Sequence, residues 1–321
     1  MEILDLRHFR SADLRPLMEE ESAVWSKEFD WDYGPSAEMI LRYLDARILP
    51  GYAAVEEGSL AGYTFFVYEG SKGIIGDLFV REPAGGQLAA NGAQSLGERL
   101  LGHVIETLQN SPGIHRIEAQ LLPHPAGALA RPFTQGGFLR HPRLFMNLAL
   151  SRARKWASPG RPKAAEIEVR PWSDTDFHSA AAVITAAYRD HVDADINDQY
   201  RTLSGSLRFL NNIVRFPGCG VFDPGSSRVA VHKPSKSAVG LILCSQVKEG
   251  VGHVTQVCVV PEHRGAGTGE ALVAASAANL ESRGFQTLSL TVTEANTRAV
   301  ELYRRLKFEQ TKVFDAFVWE G

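Results

Sequence analysis

The chain has 321 residues and a formal net charge of −3, so it is long enough for two domains and lacks the basic character of a nucleic-acid-binding protein. No apolar run approaches the roughly 18 residues that a membrane-spanning helix needs, and Met1–Leu6 has no basic segment leading into an apolar one. We therefore expect a cytoplasmic protein that binds neither nucleic acid nor membrane.

The N-terminal half alternates between strand and helix patterns. Alternation of apolar and polar residues predicts strands, whereas an apolar residue every three or four positions predicts helices. The predicted strands are Met1–Leu6, Tyr52–Glu56, Ser59–Tyr68, Gly73–Arg81, His115–Leu122 and Arg140–Leu150, and the predicted helices are Asp13–Lys27, Ala37–Ile48, Leu88–Gln109 and Ala126–Thr134. The order is therefore β-α-α-β-β-β-α-β-α-β.

A stretch rich in Arg, Lys, Pro and Gly follows, within Ser151–Lys163, and it shows no periodicity. Basic segments can bind RNA or membrane surfaces, but a solvated connector is the simpler interpretation. We predict a linker over residues 153–163, a first domain over 1–152 and a second over 164–321.

The C-terminal half repeats the same order of patterns. Its predicted strands are Ala165–Arg170, Arg228–Lys233, Ala238–Val247, Gly252–Val260, Gln286–Thr293 and Glu309–Trp319, and its predicted helices are Asp174–Asp190, Gln199–Val214, Gly269–Ser282 and Asn296–Leu306. An internal repeat of this size indicates a duplicated module.

A glycine-rich turn joins the strand Gly252–Val260 to the next helix. The first N–H groups of a helix have no partner within it, and the helix dipole adds partial positive charge, so such a turn binds phosphate groups. The mononucleotide P-loop is excluded, because Gly267 is followed by Thr268 rather than by Lys. The dinucleotide fingerprint fits poorly, because Glu270 stands at its third glycine position.

Arg264, Gly267 and Gly269 match a third pattern, Arg-x-x-Gly-x-Gly. Further along, Asn296 and Tyr303 lie seven residues apart in the last predicted helix and so share one face. Together these segments resemble the GNAT superfamily of N-acetyltransferases, in which the turn holds the pyrophosphate of acyl-CoA. The resemblance covers residues 165–319.

The resemblance implies an α+β fold class, with two tandem GNAT folds that each contain a mixed, largely antiparallel sheet flanked by helices. It also implies acetyl-CoA as the co-substrate. One departure is Lys307, which stands where the family has Gly after the helix, so that the residue is strained or the helix ends differently. The implied CoA-binding residues are Val257, Cys258, Val259, Arg264, Gly265, Ala266, Gly267, Thr268, Gly269, Asn296 and Tyr303.

The N-terminal half repeats the order of elements without the chemistry. Pro83–Gln87, at the place of the turn, contains no Arg-x-x-Gly-x-Gly. An offset of 170 residues places Phe133 opposite Tyr303 and Ala126 opposite Asn296. We therefore predict that the first domain is a degenerate copy and that the second is catalytic.

Acylation of an amine requires a neutral amine, a polarised carbonyl and a proton for the leaving thiolate. The resemblance implies that Tyr303 gives this proton and that a backbone N–H at Val257 or Val259 faces the carbonyl. His253 stands at the position of the family's base, and regular alternation would turn it to the same side as Val257. Glu294 is the alternative base.

The acceptor is expected to be a primary amine of a small molecule or peptide. The region Tyr188–Asn212 contains Asp190, Asp193, Asp195 and Asp198, which either attract a cationic amine or serve as caps and solvated surface.

Neither the histidines nor the three cysteines, Cys219, Cys244 and Cys258, have metal-ligand spacing, so we expect no metal. The chain is expected to be a monomer or a homodimer. The alternative function is a non-catalytic acyl-CoA-binding or interaction protein built from two GNAT scaffolds.

Overall fold

A computed structural model of the chain describes residues 1–81, 94–155, 166–215 and 220–321. These residues form two compact units. The N-terminal unit consists of Met1–Pro142 and Val313–Gly321, and the C-terminal unit consists of Arg143–Lys312. Most of the predicted linker, the turn Pro83–Gln87, the start of the helix predicted from Leu88, and Cys219 lie outside the described residues.

The N-terminal unit contains a mixed sheet with helices packed on it. Its strands are β1 (Glu2–Asp5), β2 (Gly51–Glu56), β3 (Ser59–Glu69), β4 (Lys72–Val80) and β5 (Arg116–Gln120), and its helices are α1 (Ser11–Phe29), α2 (Gly34–Asp45), α3 (Leu96–Gln109) and α4 (Ala130–Gln135). Strands β1 to β4 pair in order as antiparallel neighbours, and β4 pairs with β5 in parallel.

The C-terminal unit begins within β6 (Leu139–Ala149). Its further strands are β7 (Ile167–Pro171), β8 (Val221–Phe222), β9 (Arg228–His232), β10 (Ser237–Lys248), β11 (Val251–Val259) and β12 (Thr287–Thr293), and its helices are α5 (Phe177–Ala187), α6 (Val192–Ile196), α7 (Leu203–Arg215), α8 (Thr268–Ser282) and α9 (Thr297–Arg305). The sheet order is β7-β9-β10-β11-β12-β6, and only the β11–β12 pairing of this path is parallel. The predicted α+β class is confirmed.

The compact units differ from the predicted domains in their last strands. Strand β13 (Glu309–Glu320) pairs with β5 through Ala316–Glu320, which places this segment in the N-terminal unit. Strand β6 pairs with β12 through Arg143–Ala149 and so belongs to the C-terminal unit. A division at the linker therefore does not describe the compact units, because strand pairing joins residues that are far apart in the chain.

Local sequence explains why the helices form where they do. Helix α3 begins at a capping box, in which Ser95 accepts from the Glu98 N–H and Glu98 accepts from the Ser95 N–H. Its apolar stripe is buried in the core of the N-terminal unit. In the C-terminal unit, the small side chains of α5 let this helix pack closely on β10 through Leu241 and Leu243. No helix in the described part of the chain is long and apolar enough to cross a membrane.

A β-bulge shapes the end of β11. Leu243 of β10 pairs with Gln256, and its neighbour Cys244 pairs with Val254, so Thr255 is the extra residue. Strand β11 pairs with β12 over Val251–Val254, and no further pair between these strands is found in the described residues. The last residues of β11 therefore present an edge that β12 does not cover.

The N-terminal unit has a β-bulge at the corresponding place. Phe65 pairs with Asp77 and Phe66 with Ile75, so that Gly76 is the extra residue, and β4 pairs with β5 over Lys72–Ile75. Gly76 and Thr255 are 179 residues apart, as are Val80 and Val259. The two units therefore share one fold, including the position of this β-bulge.

Candidate active site

A cavity of about 480 Å³ lies in the C-terminal unit where β11 ends. Except for Ala266, all the residues predicted to bind CoA line this cavity. The lining consists of Ala187, Tyr188, His191, Val257, Cys258, Val259, His263, Arg264, Gly265, Gly267, Thr268, Gly269, Glu270, Asn296, Arg298, Ala299, Leu302, Tyr303 and Arg305. The fold thus brings together the end of β11, the glycine-rich turn and one face of α9.

The glycine-rich turn has a conformation that favours glycine. Gly265 and Gly267 both have φ of +82°, in the left-handed region. Gly267 is the N-cap of α8, so the first N–H groups of this helix point into the cavity region. The turn has the geometry of an anion site.

Arg264 holds the turn in place. Its Nε donates to the Val259 carbonyl at 3.0 Å, and one of its terminal nitrogens donates to the Ala187 carbonyl at the end of α5. The guanidinium therefore ties β11, the turn and α5 together. The backbone N–H groups of the turn, rather than this side chain, remain available for a phosphate.

The cavity is also lined by three basic residues that sequence reasoning did not identify: His263, Arg298 and Arg305. Arg298 and Arg305 lie seven residues apart, so they share a face of α9 in the same way as Asn296 and Tyr303. This spacing is the signal that could have found them. Their charge suits a ligand that carries several phosphates.

The two predicted residues of α9 occupy different places. Asn296 is the N-cap, and its Oδ1 accepts from the Ala299 N–H at 3.2 Å. Tyr303 is only 6% exposed, and burial, with smaller contributions from Asp193 and Cys258, raises the pKa of its phenol. Tyr303 therefore keeps its proton at neutral pH. Lys307 has φ of +64°, so the strain predicted after this helix is confirmed.

His253 does not lie where its position in the strand suggested. Because the bulge at Thr255 intervenes, His253 shares its face of the sheet with Gln256 rather than with Val257, and the predicted orientation is wrong. Its ring is buried, its Nδ1 lies 2.9 Å from the Ser289 hydroxyl oxygen, and it does not line the cavity. Burial, together with the positive charge of Arg143, lowers the pKa of His253 to about 3.

The other predicted polar residues are also dispersed. Glu294 is exposed and does not line the cavity. Of the four aspartates, Asp193 accepts from the buried Thr293 hydroxyl, and Asp195 pairs with Arg201 at 3.5 Å. Burial raises the pKa of the Cys258 thiol to about 12, so this residue contributes an uncharged wall.

Tyr188 and His191 complete the cavity on the side of α5. The Tyr188 hydroxyl donates to Gln256 Oε1 at 2.7 Å, and its ring stacks on Tyr200 at a centroid distance of 4.4 Å. The His191 ring lies edge-on to Tyr188 at 5.2 Å. No periodic signal marks His191, and its presence in the predicted acceptor region was the only indication.

The corresponding positions of the N-terminal unit are packed. Phe133, opposite Tyr303, is fully buried, and its ring stacks on Phe317 at 4.0 Å. Ala126 donates its backbone N–H to the Val313 carbonyl and offers no side-chain amide. In neither unit do the described residues contain a group of three or more His, Cys, Asp or Glu that could hold a metal ion.

Comparison with known proteins agrees with this geometry. Residues 194–308 match the model of the acetyltransferase (GNAT) family. A mycothiol acetyltransferase of Thermobispora bispora is 49% identical over 63 residues, or 20% of this chain and 21% of that protein. A mycothiol acetyltransferase of Cellulomonas flavigena is 43% identical over 89 residues, or 28% of this chain and 24% of that protein. The matches thus span about a quarter or less of these relatives.

Two solved structures show the same fold along the whole chain. A GCN5-related N-acetyltransferase of Sphaerobacter thermophilus superposes with a TM-score of 0.66 at 19% identity, covering 99% of this chain and 95% of that one. A tandem GNAT protein from the clavulanic acid biosynthesis pathway gives 0.59 at 15% identity, covering 99% and 98%. Residues 194–308 thus match the GNAT acetyltransferase family, and the whole chain has the same fold as these two structures.

Proposed function

We propose that the protein is an acetyl-CoA-dependent N-acetyltransferase whose C-terminal unit moves an acetyl group to a primary amine of a small molecule or peptide. The observation that carries the proposal is the single cavity that joins the turn Arg264–Gly269, the uncovered end of β11 and Tyr303. In the degenerate N-terminal copy, by contrast, Phe133 occupies the position of Tyr303 and is fully buried.

The cavity suits the two ends of acetyl-CoA. The N-terminus of α8, with Arg298 and Arg305 nearby, suits the phosphates. The Val260 N–H bonds to β10 at the Val239 carbonyl, and by alternation the N–H groups of Val257 and Val259 face the other edge. An extended arm can add there as a strand.

The chain supplies two parts of the chemistry at this edge. A backbone N–H of β11 polarises the thioester carbonyl; that of Val259 is the better candidate, because the Val257 N–H also bonds to Gln256 Oε1 at 3.0 Å. Tyr303 holds its proton until a thiolate forms, because burial raises the pKa of its phenol. The attack on the thioester is direct, and no covalent acetyl-enzyme is required.

The acceptor amine is proposed only as a class. Asp193 places negative charge close to Tyr303, which suits a cationic ammonium group. Since the two curated relatives are mycothiol acetyltransferases, the amine precursor of mycothiol is a candidate acceptor.

Release of free thiol from acetyl-CoA against a panel of amines tests the proposal. We expect amine-dependent turnover by the wild type and a rate roughly 10- to 1000-fold lower for Tyr303→Phe, because the leaving sulfur loses its proton donor. Tyr43→Phe, at an exposed tyrosine of the N-terminal unit, serves as the control.

Two results would contradict these assignments. Calorimetric binding of CoA without turnover of any amine would favour the alternative of a non-catalytic acyl-CoA-binding protein. An unchanged rate for Tyr303→Phe, in an active protein, would refute its role as proton donor.

A further inference from the structure

His191 and Asp193 form a pair at the wall of the cavity that also contains Tyr303. The His191 Nδ1 lies 3.5 Å from the Asp193 carboxylate, and the side chains are 23% and 17% exposed. Asp193 is held in turn by the buried Thr293 hydroxyl. Asp193 is thus anchored by Thr293, and its partner His191 lines the cavity.

Asn296 favours one tautomer of the His191 ring. Its Oδ1 already accepts from the Ala299 N–H, so the atom that faces His191 Nε2, at 3.4 Å, is the amide nitrogen. An amide nitrogen only donates, and Nε2 must therefore be unprotonated to bond with it. The neutral ring then carries its proton on Nδ1, towards Asp193.

The Asp193 backbone N–H provides the other possibility for Nδ1. It lies 3.2 Å from Nδ1 and caps α6 when Nδ1 accepts. In either tautomer, Nδ1 therefore has a partner in Asp193, which is its carboxylate or its backbone N–H. Only the tautomer with the proton on Nδ1 leaves Nε2 able to accept a proton.

We infer that His191 is the general base of the acetyl transfer and that Asp193 is its positioning residue. This inference rests on the proposed function. It differs from the sequence-based prediction, because His253 and Glu294 do not line the cavity.

His191 and Tyr303 together account for every proton that moves in the reaction. Nε2 of His191 takes one proton from the substrate ammonium, and the nitrogen lone pair then forms the N–C bond to the thioester carbon. The C–S bond breaks with its electron pair on sulfur, which takes the proton of Tyr303. The phenolate recovers a proton from the new amide nitrogen, and His191 returns its proton to solvent.

Asp193 is the charged side chain that contacts this ring, and the other groups around it are as follows. Tyr188, from the end of α5, and Tyr303, from α9, are neutral because burial raises the pKa of each phenol. Cys258 of β11 is neutral for the same reason. The remaining charged or titratable side chains of the cavity are His263, Arg264, Glu270, Arg298 and Arg305, which come from the turn, α8 and α9.

The test is the pH profile of kcat/KM for the wild type, His191→Gln, Asp193→Asn and His253→Gln, with His115→Gln at an exposed site as control. We expect His191→Gln to lower kcat at least about tenfold at neutral pH and to move the acid limb to higher pH, where it follows deprotonation of the amine itself. At alkaline pH its rate should approach that of the wild type, because the amine is then already neutral. Imidazole should restore activity to His191→Ala.

Asp193→Asn should lower kcat by a smaller factor than His191→Gln, because the ring loses the carboxylate that accepts its Nδ1 proton, and Asp193→Glu should recover part of that loss. Calorimetric binding of CoA should be unchanged in each variant, which shows that the cavity is folded. The same shift of the acid limb in His253→Gln, or a wild-type profile in His191→Gln, overturns the inference while acetyl transfer stands. Absence of amine turnover in the wild type overturns both.

Discussion

Lys307 shows how one residue can carry strain that its counterpart avoids. It follows α9 with φ of +64°, whereas Gly137, at the same place in the N-terminal unit, has φ of +78°. A side chain in this region costs roughly 1–2 kcal/mol, which glycine does not incur. The motif predicted either this strain or a different end of the helix, and the structure has the strained conformation.

We predict that Lys307→Gly raises the free energy of unfolding by about 0.5–1 kcal/mol, the relief of strain being reduced by the greater entropy of glycine in the unfolded chain. Urea unfolding measures the difference. Lys307→Ala is the matched control, because it removes the long side chain but keeps the β-carbon. A gain of equal size in both variants would show that the lysine side chain, and not the backbone, was responsible.

At the scale of elements, sequence reasoning succeeded where contacts are local. Periodicity predicted the helices and strands of both units except α6 and β8, and the turn and α9 each carry a motif within a few residues. It failed at Thr255, because one extra residue reverses the faces of the strand beyond it and moves His253 away from Val257. It also missed His191 as a cavity residue, because His191 is the N-cap of α6, a helix of five residues without a periodic pattern.

The junction of β11 and α8 gives the prediction at this scale. Gly267→Ala places a β-carbon at φ of +82°, so the turn must rotate and its N–H groups no longer converge on a phosphate. We expect the dissociation constant for CoA to rise about tenfold, measured by calorimetry, which corresponds to ~1.4 kcal/mol.

Gly284→Ala is the matched control for this prediction. Gly284 has φ of +86°, and a β-carbon there would meet no atom within 4 Å, so the variant has the same kind of strain away from the cavity. Both variants should unfold more easily, but only Gly267→Ala should bind CoA more weakly. Equal binding by the two would show that the turn does not hold the phosphates.

At the scale of the whole molecule, the two copies share a fold but have different residues at equivalent positions. Asp77, directly after the bulge of β4, corresponds to Gln256 of β11. Each accepts from a tyrosine hydroxyl, Tyr33 in the N-terminal unit and Tyr188 in the C-terminal unit. The sequence did not predict that β6 joins the C-terminal unit and that the end of β13 joins the N-terminal unit. Equivalent strands of two copies offer similar hydrogen-bonding edges, so local sequence does not decide which unit each strand joins.

The buried acids of the N-terminal unit make its stability depend on pH. Glu21 is 1% exposed; it accepts from the Tyr63 hydroxyl at 2.6 Å and bonds to the carboxyl of Asp77. Burial raises the pKa of Glu21 well above its ordinary value, and the charge of Asp77 and the hydrogen bond to Asp77 add to this effect. Between the ordinary carboxyl pKa and this higher value, the folded state therefore holds a proton that the unfolded chain has released.

It follows that the contribution of Glu21 to stability is fully present below the ordinary carboxyl pKa of about 4.3 and is lost as pH rises towards the higher folded value. The wild type should lose up to about 1.4 kcal/mol of unfolding free energy per pH unit in this range. Glu21→Gln should flatten the profile, because an amide has no proton to release. Urea unfolding between pH 5 and 8 measures this, with Glu19→Gln, exposed on the same helix, as control. If Glu21→Gln retained the wild-type slope, as Glu19→Gln should, a group other than Glu21 would be responsible for the pH dependence.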